Sequence, residues 1–177
     1  MAVLLFSTAS CKKGTSAPNP VDQLPAATAE GKNTFGCLID GIAFVGPEDY
    51  LGATIIWDSI TPLYGSLLSS NAYSGSSARQ IVMNTSDKHV IQQGTAIEMG
   101  GGFLTGHDYY AEAFFHDDTA TNYHLYATVY APSPRGEVKY SKMDLNSRIV
   151  SGTFWFDAYE TSGRKVEIRD GRFDIKF

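Results

Sequence analysis

Tyr123-His124-Leu125-Tyr126-Ala127-Thr128-Val129-Tyr130 is the stretch whose reading decides the fold class. In an extended chain successive side chains point to opposite sides, so Tyr123, Leu125, Ala127 and Val129 share one face and His124, Tyr126, Thr128 and Tyr130 the other. A half-buried strand accounts for that alternation. Outward from it, short apolar or alternating runs recur, separated by Gly, Asp, Asn, Ser and Pro, and about ten candidate strands emerge. That spacing predicts an all-β chain: one domain, folded as an antiparallel β-sandwich or a closed β-barrel.

Turn chemistry supplies the connections. Asp40-Gly41 and Asp170-Gly171 suit two-residue hairpin turns, whose central positions both need positive φ. A third hairpin is expected at Asp144-Leu145-Asn146-Ser147, and the chain closes on an alternating strand from Phe173 to Phe177. Between Pro47 and Ser77, Ile55-Ile56-Trp57 and Gly65-Ser66-Leu67-Leu68 read as strands. The dense Gly, Ser and Asn from Ser70 to Ser77 predict a long loop, and Gly100-Gly101-Gly102 a bend.

The 177 residues suit a single domain with a proper core, and 10 Phe, 10 Tyr, 2 Trp and 17 Gly favour strands and turns. The net charge is -5 and no basic cluster exists beyond Lys12-Lys13, which argues against a nucleic-acid partner. No stretch reaches the roughly 20 apolar residues that span a bilayer. Of the two cysteines, Cys37 sits in the apolar run Phe35-Gly36-Cys37-Leu38-Ile39 and reads as a small buried hydrophobe.

Cys11 reads differently. Residues 1–10 run from the apolar Met1-Ala2-Val3-Leu4-Leu5-Phe6 into the small Ser7-Thr8-Ala9-Ser10, as a secretory signal segment runs into its cleavage site. Cleavage before Cys11 would make it the lipidated N-terminus. The apolar run is short and lacks a basic start, so the segment is expected to be the end of a longer signal. Residues 11–33 hold Pro18, Pro20 and Pro25 among small polar residues and predict a disordered tether, with the β domain spanning 34–177. At ~3 Å per residue such a tether reaches about 60 Å from the lipid.

Asn33-Thr34-Phe35-Gly36-Cys37-Leu38-Ile39-Asp40-Gly41, the run Ser151-Gly152-Thr153-Phe154-Trp155-Phe156 and the closing Asp170-Gly171-Arg172-Phe173-Asp174-Ile175-Lys176-Phe177 resemble a family of cell-envelope lipoproteins of Bacteroidetes-type bacteria, defined by a domain of unknown function. Cys11-Lys12-Lys13 is similar to the family's start after its lipidated cysteine. The resemblance implies a protein anchored by lipid in the bacterial envelope, at the outer membrane. It implies no catalytic or binding residue.

Three groups of residues are candidates for a site. His107, Asp108, His116, Asp117, Asp118 and His124 include imidazoles and carboxylates suited to a divalent metal, while 116–122 reads equally as a solvated hairpin loop. Trp57, Tyr64, Tyr73, Trp155 and Tyr159 could form an aromatic platform for sugar rings, or fill the core and rim. Asp58-Ser59-Ile60 and Asp118-Thr119-Ala120 look like short O-glycosylation signals. Catalysis finds little support: no Gly-x-Ser-x-Gly is present, the glycines before His107-Asp108 lack the Lys and Ser or Thr of a phosphate loop, and adjacent Asp117 and Asp118 would face opposite ways on a strand. No cofactor is implied. The expected function is a non-catalytic binding or structural module, with a glycan, a small apolar ligand or an envelope protein as its partner; a metal-dependent hydrolase is the lesser alternative.

Overall fold

The computed structural model describes residues 18–58, 63–74, 77–87, 89–100, 109–118, 122–132 and 135–177. These form strands β1 (Thr34–Ile39), β2 (Ile42–Gly46), β3 (Leu51–Asp58), β4 (Leu63–Ser74), β5 (Ser77–Asp87), β6 (Ala96–Glu98), β7 (Tyr109–Asp118), β8 (Tyr123–Ala127), β9 (Gly136–Asp144), β10 (Ile149–Tyr159) and β11 (Lys165–Lys176). All pairings are antiparallel, in the order β2-β1-β11-β10-β8-β7-β5-β4-β3. The sheet curls until β2 lies beside β4, a nearly closed barrel. Strand β10 is the branch point: residues 149–156 pair with β9, which carries β6, and Tyr159 pairs with Ala127 of β8.

The interior is solid. Phe35, Phe154, Phe156, Phe173, Tyr140, Ile81, Met83, Leu68 and Ile168 are all buried, and the Phe35 and Phe154 rings sit 5.1 Å apart. Each such side chain contributes about 1.5–3 kcal/mol by leaving water. Cys37 is fully buried among them, and that burial pushes its thiol far above the ordinary cysteine range, as befits a small hydrophobe.

Asp40-Gly41 makes the expected turn, with φ of 48° and 79° between paired Ile39 and Ile42. The hairpin at 145–148 also forms, and Asp144 Oδ1 accepts from the amides of Asn146 and Ser147. Asp170-Gly171, by contrast, is no hairpin. It is a bulge inside β11, where Arg169 and Asp170 stand opposite the single residue Trp155, with Asp170 at φ 52°. Gly171 is needed because a Cβ there would lie 2.6 Å from the Phe154 ring. The true β10–β11 turn is Glu160–Arg164, with Gly163 at φ 87° and the Glu160 amide donating to the Arg164 carbonyl at 2.9 Å.

Two other expectations give way. The loop expected over Ser70–Ser77 is a long hairpin arm, because β4 runs to Ser74 and pairs it with Ser77. Its small residues permit close approach of β2: a Cβ on Gly46 would fall 1.9 Å from Ser70 Oγ. The strand at 123–130 stops at Ala127, and Thr128–Tyr130 forms a 3-10 turn whose buried Thr128 Oγ1 accepts from the Ala113 amide at 3.0 Å.

The tether expected over 11–33 is packed along its described part, residues 18–33. Leu24 is buried, Arg172 donates to the Pro25 carbonyl at 3.2 Å, and a buried carboxylate straps the rest. Asp174 accepts from Thr28 Oγ1 (2.5 Å), the amides of Glu30 (3.1 Å), Gly31 (2.7 Å) and Lys32 (3.2 Å), and Ser151 Oγ (2.6 Å). Burial alone would raise its pKa; these donors hold it down at about 2. The composition reads as disordered because the polar contacts ordering it come from Arg172 and Asp174, more than 140 positions away. Cys11 and the signal segment lie outside the described residues.

Candidate functional site

Space for a ligand lies at the two ends of the barrel and, in a cleft of about 410 Å³ beside Ala27, Trp155 and Arg172, on its outer wall. Inward positions alternate along each strand, so each end is defined by the last inward residue of its strands.

At one end, Ile55 of β3, Tyr64 of β4, Ile91, and Met143 at the close of β9 surround a cavity of about 450 Å³. Ile56, Val90 and Leu145 stand exposed around it. Its lining is almost wholly aliphatic and aromatic. Beneath it the polar atoms satisfy one another: Tyr140 Oη lies 2.5 Å from Ser66 Oγ and 2.8 Å from Thr85 Oγ1, and those two hydroxyls are 2.9 Å apart. Burial raises the Tyr140 pKa, and bonds from Ser66 and Thr85 temper it, so the phenol stays neutral.

The other end is polar. One ladder row crosses four strands, Ala72 to Arg79 to Asp117 to His124, on the inward face that further along carries Leu68, Ile81, Phe115 and Tyr126. Arg79 Nε bonds Asp117 Oδ1 at 3.2 Å, and His124 Nδ1 lies 2.7 Å from Glu160 Oε1 in the β10–β11 turn. Ser162 Oγ donates to Glu160 Oε2 at 2.9 Å and, with the neighbouring His124 and Tyr126, holds the Glu160 pKa below its usual value. Burial and the Glu160 charge raise the Tyr126 pKa. A cavity of about 520 Å³ opens beside Tyr73, Arg79 and Asp117, and one of about 300 Å³ beside Tyr123, His124, Tyr130 and Glu160.

The candidate metal residues are only partly brought together. His107 and Asp108 lie outside the described residues. Asp117 and His124 are cross-strand neighbours, but His116 faces the other way, with Nδ1 2.9 Å from Tyr123 Oη. Burial lowers the His116 pKa, against a smaller opposing pull from Asp118. Among the described residues no three His, Cys, Asp or Glu side chains gather as a metal set.

The candidate aromatics scatter. Tyr64 belongs to the apolar end and Tyr73 to the polar end. Trp155 lies on the outer wall with the Arg169 guanidinium 5.5 Å from its ring, Tyr159 is half-buried on the same strand, and the Trp57 side chain is outside what is described. Of the O-glycosylation signals, Ser59 and Thr119 are likewise outside. Arg79, Glu160, Tyr50 and Tyr130 escaped the sequence reading. Arg79 meets Asp117 across 38 positions, and no local pattern marks such a pair.

A barrel with a solid core and two chemically opposite mouths is the class of protein these features define. Compared with known proteins, the chain matches no family model, no curated protein and no solved structure.

Proposed function

We propose that the chain is a lipid-anchored, non-catalytic binding module of a bacterial envelope, of the lipoprotein kind whose motifs it resembles, and that its apolar mouth takes a small apolar ligand. The observation that carries this reading is the cavity of about 450 Å³ under Ile56, Val90 and Leu145. It falls within the ~300–1,000 Å³ of small-molecule sites, and barrel mouths are common places for them. Keeping three large aliphatic side chains in water at one rim costs free energy that an apolar ligand would recover. The non-catalytic part of the reading rests on the sequence, which carries neither a Gly-x-Ser-x-Gly nor a phosphate loop.

Anchoring rests on Cys11 and on the several acyl chains that lipoprotein processing adds, since a single chain binds membranes only marginally. With residues 18–33 strapped to the barrel, seven positions separate Cys11 from Pro18, so the domain rides within ~25 Å of the lipid, not ~60 Å.

The test is fluorescence titration of the full chain with N-phenylnaphthylamine. Binding is expected, and Ile56→Glu or Leu145→Glu should weaken it at least tenfold without moving the melting temperature, because both residues are exposed. A wild-type protein that ignores the probe, or variants that bind it as well, would overturn the apolar-ligand reading. Anchoring is tested separately: Cys11→Ala should release the protein to the soluble fraction, and retention in membranes would refute it.

A further inference from the structure

We propose that the polar mouth is a saccharide-binding site, distinct from the apolar mouth and independent of it. Its rim is built of tyrosine. Tyr50, Tyr73, Tyr123 and Tyr130 are exposed to 51%, 60%, 63% and 43%, and they are all of the exposed tyrosines among the described residues. None lies at the opposite mouth, where the exposed large apolar side chains are the aliphatic Ile56, Val90 and Leu145. Two of the four rings are held in place: Tyr73 by the edge of Tyr50, with centroids 5.1 Å apart, and Tyr123 by its bond to His116 Nδ1 at 2.9 Å. Rings fixed before the ligand arrives spare it part of the ordering cost.

Each of the two spaces at this end joins tyrosine to groups that hydroxyls need: Tyr73 lines one with Arg79 and Asp117, and Tyr123 and Tyr130 line the other with His124 and Glu160. A sugar hydroxyl both donates and accepts, and here guanidinium and imidazole nitrogens alternate with carboxylates along one wall, Arg79, Asp117, His124 and Glu160. The Arg79–Asp117 pair keeps 49% and 34% of its side-chain surface open, so both partners retain free edges toward a ligand.

Other occupants fit worse. An apolar molecule would strip water from four polar side chains and return no hydrogen bond. An anion finds no surplus positive charge, since Arg79 faces Asp117 and His124 faces Glu160. A flat protein partner would leave the two concave spaces of about 520 and 300 Å³ unfilled. A pyranose offers apolar C–H faces to stack on tyrosine and equatorial hydroxyls for the charged wall.

The experiment is an oligosaccharide array probed with the full-length protein in detergent, followed by calorimetry with cellotetraose, maltotetraose and chitotetraose. Binding to at least one array sugar is expected. Tyr73→Ala and Tyr123→Ala should each weaken it at least fivefold and together abolish it, with the melting temperature unchanged because both rings are exposed. Ile56→Glu should leave saccharide binding intact, and the tyrosine pair of changes should leave uptake of N-phenylnaphthylamine intact, so that either site can fail alone. An array with no bound sugar, or sugar binding indifferent to the double change, overturns the proposal.

Discussion

The two mouths are closed by opposite ends of the same strands, yet one is aliphatic and the other charged. Strand β5 shows how. Its inward side chains run Ser77, Arg79, Ile81, Met83, Thr85 and Asp87, so the middle of the strand is apolar and charge is confined to positions near its ends, Arg79 at the polar mouth and Asp87 past Thr85. Strand β7 does the same in reverse, with Phe115 followed by Asp117, and β8 places His124 one step outside Tyr126. A charge at that last position still touches water, so its desolvation cost is small, whereas two residues deeper it would be severe. At the aliphatic end the deep polar atoms, Ser66, Thr85 and Tyr140, are uncharged and bond one another. The barrel core is thus common to both ends, and the difference between them lies in a few terminal side chains.

Breaking the shared core should erase the distinction altogether. Phe156 is fully buried and stacks on Phe154 at 6.2 Å. Phe156→Ala should cost about 4 kcal/mol in urea unfolding and weaken binding at both mouths together. Loss at one mouth alone would mean that the ends do not share one scaffold.

The next largest effect should spare both mouths. Asp174→Ala leaves the donors of the 28–32 strap without their acceptor and should cost about 3 kcal/mol. Proteolysis should then cut within residues 18–33 of a domain that still binds at either end. Acid provides the reversible form of the same change. The Asp174 pKa is depressed from 3.8 to about 2 in the fold, so its contribution is complete above the ordinary carboxylate range and is lost as pH falls through about 2. That contribution is about 2.5 kcal/mol, and acid unfolding of the Asp174→Ala chain should lack it.

Much of this architecture was legible because strand period and turn chemistry are local. Tyr123–Ala127 is the expected strand, and Asp40-Gly41 turns where expected. Asp170-Gly171 misled because the same two residues that satisfy a hairpin also satisfy a bulge, and the choice between them lies in the Phe154 ring pressed on Gly171. Ser70–Ser77 misled because small residues serve a loop and a close strand crossing equally well. Of the candidate site residues, Tyr73, Asp117 and His124 do reach the polar mouth. Their partners Arg79 and Glu160 were invisible, because each pairing is made by sheet register across 38 and 36 positions and by no motif.

Smaller changes sharpen the contrast between the ends. Tyr140→Phe removes one hydroxyl from the triangle beneath the apolar mouth and leaves Ser66 and Thr85 bonded to each other at 2.9 Å. The cost should be about 1.5 kcal/mol by thermal unfolding, because the remaining pair stays satisfied. Tyr140→Leu should cost more, since it adds a cavity.

The smallest effect belongs to the polar mouth. Arg79 and Asp117 form a half-exposed ion pair, and such pairs contribute at most about 0.5–1 kcal/mol. Arg79→Met should therefore shift stability by no more than about 0.5 kcal/mol, since the methylene stem still covers Ala72 and the freed carboxylate is solvated. If the charged wall serves the fold, the change should destabilise it by several times that figure, and high salt should destabilise the wild type in parallel. If it serves a ligand, unfolding should be indifferent to Arg79→Met and to salt, while any saccharide bound at this mouth is lost. The pair is placed where a barrel needs it least and where a hydroxylated ligand would meet it first, so unchanged stability with lost binding is the expected outcome.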